Sequence, residues 1–121
     1  MNASVDSVLE YSMIANILKK QNISVLNPIQ IEAVNRGLFF HQNFLVCTPS
    51  GSGKTLIGVM AILNISLKNL GKAIYLVPYK ALAHEKATYF TETLKPYHLN
   101  VIVTTGDNDS EIQDLSEADL I

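Results

Sequence analysis

The sequence predicts an α/β fold, a parallel sheet with helices on its flanks joined by right-handed crossovers. Three observations predict it. Apolar, β-rich runs of strand length at 43–47, 73–77 and 99–104 alternate with longer stretches of helical character;. Between the first of these strands and the helix after it stands Thr48-Pro49-Ser50-Gly51-Ser52-Gly53-Lys54-Thr55, with the glycines, lysine and hydroxyl of a phosphate-binding loop;. Hydrophobic residues make up 48% of the 121 and charged ones 17%, which suits a single core-forming domain rather than a disordered chain;.

Taken in order, Ser7-Val8-Leu9-Glu10 has the pattern of a capping box and predicts a helix over about 8–20. Val8, Leu9, Met13, Ile14, Ile17 and Leu18 form its apolar stripe, and Lys19 and Lys20 suit its carbonyl end. This helix reads as packing structure, and residues 1–25 as a lead-in. Asn27 caps the next helix. Pro28 fits the first helical position, where its missing N–H costs nothing, and Gly37 closes the helix after Arg36. Ile29, Ala33 and Val34 fall on one side, with Gln30 near the start.

The strand at 43–47 leads through the glycine-rich loop into a helix over about 54–69, ended by Asn69-Leu70-Gly71. It is apolar nearly all round, so it belongs in the centre. Ala73–Val77 is the second strand, stopped by Pro78. A helix over about 80–94 turns Leu82, Tyr89, Phe90 and Leu94 inward and is limited by Pro96. Leu99–Thr104 is the third strand. Thr105 to Ser110 is turn chemistry, 111–117 a short helix, and 119–121 the start of a further strand.

The loop carries the chemistry. Gly51 and Gly53 let the backbone take conformations closed to other residues, so that successive N–H groups point at one anion. The helix beginning near Lys54 adds the positive end of its dipole. Lys54 brings a mobile charge for phosphates, and Thr55 a hydroxyl suited to Mg²⁺. Thr48 stands where the general pattern has its first glycine. A Ser/Gly-rich turn that happens to precede a lysine is the competing reading. Placement between an apolar strand and an apolar helix selects the nucleotide site.

Net charge is −2, so the basic footprint of a domain that holds nucleic acid by bulk electrostatics is absent, which leaves room for a few placed contacts;. The single cysteine, Cys47, excludes an internal disulfide and reads as a small core residue, with a reactive thiol as the alternative;. Neither a signal peptide nor an uninterrupted membrane-length apolar run occurs, so a cytoplasmic setting without membrane contact is expected. His41, His84 and His98 lack metal-ligand spacing and read as surface or helix-flanking residues.

Four stretches in order resemble the first motor domain of superfamily 2 helicases. Leu26-Asn27-Pro28-Ile29-Gln30 resembles the Q motif and Thr48 to Thr55 motif I. Val77-Pro78-Tyr79-Lys80-Ala81-Leu82-Ala83-His84-Glu85-Lys86 resembles motif Ia, and Thr105-Gly106-Asp107 the turn after the next strand. The wording is most similar to the Ski-two-like branch and the archaeal DNA-repair helicases within it, over about residues 22–121. The resemblance implies a RecA-like P-loop NTPase fold, with 1–121 as the N-terminal part of a truncated ATP-binding domain. It implies ATP and Mg²⁺ as ligands, and a parent that couples ATP hydrolysis to translocation on, and unwinding of, single-stranded or duplex nucleic acid.

By that resemblance Gln30 reads adenine, although its amide suits a helix cap on Asn27 as well. Thr48, Pro49, Ser50, Gly51, Ser52 and Gly53 cradle phosphates, while Lys54 and Thr55 act in catalysis, Thr55 as the Mg²⁺ ligand. Lys80 stands where an arginine usually meets the nucleic-acid backbone; it loses the bidentate fork but keeps the charge. Read alone, Lys80 is a solvated residue at a helix start. Thr105 and Gly106 offer a hydroxyl and N–H groups to a phosphate, and a plain turn is equally good physics. His84 also departs from the usual acidic residue. In that family hydrolysis needs a later acidic pair and arginines from a second motor domain, and neither is in these residues, so the chain alone is expected to be inactive. Two other readings stay open. One is a nucleotide-binding module without catalysis; the other is a small P-loop kinase, which has no need of Leu26–Gln30 or Pro78–Lys86.

Overall fold

The computed structural model describes residues 1–10, 12–106 and 112–121, with backbone only at 112 and 113. It divides into two compact units, Met1–Asn64 and Ile65–Ile121. The turn expected at 107–110 lies outside the described residues.

The first unit opens with β1 (Ala3–Ser4), α1 (Val5–Leu9), α2 (Met13–Lys20) and β2 (Val25–Leu26). β1 pairs antiparallel with β2, Ala3 opposite Leu26 and Ser4 opposite Val25. The single helix expected over 8–20 is therefore two. Ser4, not Ser7, is the first cap: its Oγ accepts from the Ser7 N–H at 3.2 Å, and the Ser7 hydroxyl donates back to the Ser4 carbonyl. Glu10 then turns left-handed at φ 53°, and Ser12 caps α2 by accepting from the Ala15 N–H at 3.2 Å. Two hydroxyls at competing starts divide the run. The break lets Val5 and Leu9 be buried along with Ile14, Ala15, Ile17 and Leu18. Lys19 and Asp6 join the two helices at 2.9 Å, a partly exposed pair worth little by itself;.

β2 delivers the chain directly to Asn27, the cap of α3 (Pro28–Asn35). The helix ends as its sequence asks. Gly37 takes φ 96°, its N–H donates to Val34 and that of Leu38 to Ala33, so the last carbonyls are satisfied in a Schellman turn;. Residues 43–47 join no ladder among the described residues. Phe44 and Val46 are half-buried along a depression shared with Ile29 and Ala33, whereas Leu45 is 91% exposed. Cys47 is exposed too, which corrects its reading as a core residue. An apolar alternation specifies which residues share a face, but a sheet also needs a neighbour for its N–H and C=O groups.

α4 (Lys54–Leu67) follows the loop. No residue from 56 to 67 is exposed, and Met60 and Leu63 are fully buried, as an all-round apolar helix requires;. Asn69 at φ 52° and Gly71 at φ 146° carry the chain out of it.

In the second unit three extended segments lie side by side. Ala73 and Val101 each form a parallel bridge with Leu120. The Ala73 N–H donates to Asp119 and the Tyr75 N–H to Ile121, while the Ile102 N–H donates to Leu120. Residues 119–121, read from sequence as the start of a strand, thus lie between 73–75 and 100–102. These pairings are isolated bridges; β1 and β2 form the one regular sheet among the described residues. α5 (Lys80–Leu94) covers one face, with Phe90 and Leu94 buried and Leu82 and Tyr89 half-buried. Tyr75 and Tyr89 set their rings edge-on to Phe90 at centroid distances of 5.6 and 5.1 Å. A 3-10 turn at Lys95–Tyr97 follows α5. The Lys72 ammonium donates to the Ser116 and Ala118 carbonyls, stopping α6 (Ile112–Glu117).

Candidate functional site

The phosphate-type loop closes on its own polar groups. The Ser52 hydroxyl donates to the Pro49 carbonyl at 2.6 Å and lies 2.6 Å from the Thr48 hydroxyl. Gly51 and Gly53 take φ 78° and 88°, the left-handed turns expected of them;. The Lys54 ammonium folds back to the Thr48 carbonyl at 2.7 Å. Ser50, Gly51, Lys54 and Thr55 are exposed, so the charge, the hydroxyl and the tip of the loop stand open to an incoming anion.

Underneath, α3 grips the loop. The Gln30 side-chain oxygen accepts from the Asn27 N–H at 2.9 Å, while the Asn27 oxygen accepts from the Gln30 N–H at 3.1 Å: a complete capping box. The two amide nitrogens are then left over. Asn27 Nδ2 donates to the Ser52 carbonyl at 2.9 Å and Gln30 Nε2 to the Gly53 carbonyl at 3.1 Å. Gln30 is only 6% exposed. Two residues therefore cap a helix with their oxygens and hold the loop with their nitrogens. The capping box is spelled in the sequence, but the grip on Ser52 and Gly53 is not. Its one sequence-level hint is the choice of amides, each carrying a donor as well as an acceptor, where hydroxyls or carboxylates would cap as well.

The second unit gathers the other expected contacts. Segments 73–75 and 100–102 are both parallel to 119–121, so the chain leaves them at the same end. Carboxyl ends of parallel strands are where α/β folds place ligands. There Tyr79, Lys80, Thr105 and Gly106 line a depression of about 200 Å³ with Val77 and Thr104. Lys80 and Gly106 are exposed and Thr105 half-buried. His84 lies exposed one turn further along α5. Among the described residues no group of three His, Cys, Asp or Glu side chains could hold a metal, and no helix is long and apolar enough to cross a membrane.

An apolar run, a glycine loop with both glycines left-handed, and a Lys-Thr pair opening a buried helix define a P-loop protein. Residues 27–121 match the DEAD/DEAH box helicase family, and the chain belongs to that family. With membership comes the α/β P-loop fold, and the small-kinase reading falls away. The chain is 46% identical over 108 residues to the ATP-dependent DNA helicase Hel308 of Pyrococcus horikoshii, covering 89% of this chain and 15% of that protein. It is likewise 46% identical over 103 residues to the Methanocella arvoryzae protein of the same name, covering 82% and 14%. With that of Thermococcus kodakarensis it shares 39% over 117 residues, covering 97% and 10%. The chain thus spans between 10 and 15% of the length of these relatives.

Proposed function

We propose that the chain is the N-terminal part of the first RecA-like domain of an ATP-dependent DNA helicase, and that it contributes the ATP site and a first contact to nucleic acid. The observation that carries this is the loop: a lysine ammonium resting on a neutral carbonyl, next to an open tip held from below by Asn27 and Gln30. A phosphate oxygen is a stronger partner for that ammonium than the Thr48 carbonyl, because both groups are then ionised. In this reading Thr48 to Gly53 form the cradle, Lys54 moves onto the phosphates, and helix α4 presents its N-terminus to them. A Cβ at Gly51 would meet nothing within 4 Å, so the tip has room for the anion.

Mg²⁺ fits this donor set in one way. The Thr55 hydroxyl would supply one oxygen, leaving the rest of the shell to groups outside the chain, the usual manner of a cation that sheds water reluctantly. When bound, the ion neutralises phosphate charge; Lys54 and Thr55 provide the chain's share of that work. Gln30 keeps one N–H and one lone pair beyond those it uses on Gly53 and Asn27, enough for a paired contact with the edge of adenine. Lys80, Thr105 and Gly106 take phosphates of the nucleic-acid strand. The bridges of Ala73 and Val101 to Leu120 are the nucleus of the parallel sheet, and residues 1–25 are the lead-in that aims α3.

Thermal unfolding with and without Mg-ATP tests the reading. At about 100 times Kd the nucleotide is expected to stabilise the protein by about 2.7 kcal/mol. Lys54→Ala removes most of that gain. Equal shifts in both proteins would refute the site.

A further inference from the structure

We propose that Tyr79 is a stacking residue, whose ring takes the face of an unpaired base on the strand that Lys80 holds by its backbone. This rests on the nucleic-acid reading of the depression at Lys80, Thr105 and Gly106, and goes beyond it, because that reading invokes phosphate contacts alone.

Among the described residues the Tyr79 side chain has no hydrogen-bond or ring partner, although its carbonyl accepts from the Ala83 N–H. The residue is 63% exposed, whereas the rings of Tyr75 and Tyr89 are both set against Phe90 in the core. It occupies the N-cap of α5 without making a side-chain cap bond. Small polar residues are the ones that stabilise a helix there, so helix formation does not account for a tyrosine. Its hydroxyl has no hydrogen-bond partner among the described residues. Yet it lines the same depression as Lys80, Thr105 and Gly106, at the end of the parallel segments.

The electrostatics of these residues favour such a contact. With a net charge of −2 the chain cannot gather a polyanion through a broad positive field, and one or two lysine contacts release few counterions;. Short-range attraction has to supply the difference. Base–aromatic stacking does so without sequence preference, since every base has a π-face, and it requires an unpaired base. An exposed ring next in sequence to a phosphate-holding lysine lets one nucleotide engage both residues, its phosphate on Lys80 and its base on Tyr79.

Fluorescence anisotropy with a labelled, mixed-sequence single-stranded DNA tests this, using wild type, Tyr79→Leu, Tyr79→Phe and Lys80→Ala. Tyr79→Leu is expected to raise Kd about 5- to 150-fold, with Tyr79→Phe close to wild type. An abasic strand should bind wild type as weakly as the intact strand binds Tyr79→Leu. Lys80→Ala alone should flatten the dependence of log Kd on log salt, by about 0.7 for one lost phosphate contact. If Tyr79→Leu binds as tightly as wild type while Lys80→Ala weakens binding, stacking is refuted and the phosphate reading stands. Equal binding of abasic and intact strands by wild type also refutes stacking. No binding by wild type refutes both.

Discussion

Gly53 and Gly51 take the same left-handed backbone for different reasons. A Cβ on Gly53 would stand 2.5 Å from Gln30 Nε2 and 2.9 Å from Asn27 Nδ2, whereas one on Gly51 would meet nothing within 4 Å. Gly51→Ala therefore carries only the conformational cost, about 1–2 kcal/mol. Gly53→Ala adds the loss of two hydrogen bonds, each worth about 1 kcal/mol. Urea denaturation should rank Gly53→Ala as clearly the more destabilising; equal costs would mean that the amide grip contributes nothing. Burial offers a second test at this scale, since it pushes the Tyr75 phenol above its ordinary value. The unfolded chain then releases the Tyr75 proton first, so the folded state loses stability as pH rises past about 10. Melting followed from pH 8 to 11 should fall less steeply in Tyr75→Phe than in wild type.

At the scale of elements, the division between α1 and α2 rests on Glu10 and Ser12. Glu10 sits left-handed at φ 53°, a conformation that disfavours residues with a Cβ, and Glu10→Gly is expected to stabilise the protein by up to about 1 kcal/mol;. Ser12→Ala removes the cap of α2 and should destabilise it by about 1 kcal/mol;. Were 8–20 a continuous helix instead, Glu10→Gly would lower the melting temperature and Ser12→Ala would raise it slightly. Differential scanning fluorimetry gives the sign of both. Element α3 has a double role that no helix signal announces: its first turn is both a capped start and the floor beneath the phosphate loop.

For the whole molecule the exposed strand faces set the behaviour in solution. In the second unit Ile74 is 65% exposed and Leu76 89%, and Leu45 is 91% exposed in the first. Extended apolar segments with open faces or edges attract other chains. Concentration-dependent association is the expected result in sedimentation velocity, and the double variant Ile74→Lys, Leu76→Lys should reduce it. A wild-type monomer at every concentration would show these faces to be inert.

By itself the sequence determined the helices whose signals are local. Asn27, Pro28 and Gly37 bracket α3, the glycine loop opens α4, and the apolar circumference of α4 foretold its burial, because caps, turns and periodicity depend on neighbours a few residues away. It also determined the family, since four short stretches keep their order and spacing. Where the first helix divides was decided by which hydroxyl finds its N–H, Ser4 and Ser12 prevailing over Ser7. Strand pairing was decided by tertiary structure alone: 43–47 and 119–121 both read as strands, yet among the described residues only the second has partners. A strand's hydrogen bonds lie on residues distant in sequence, and no local pattern encodes whether those residues stand beside it. The same holds for the hands of Asn27 and Gln30 on Ser52 and Gly53, which join residues 23 and 25 positions apart. The types of these side chains were legible; where their second hydrogen bonds go is a property of the fold.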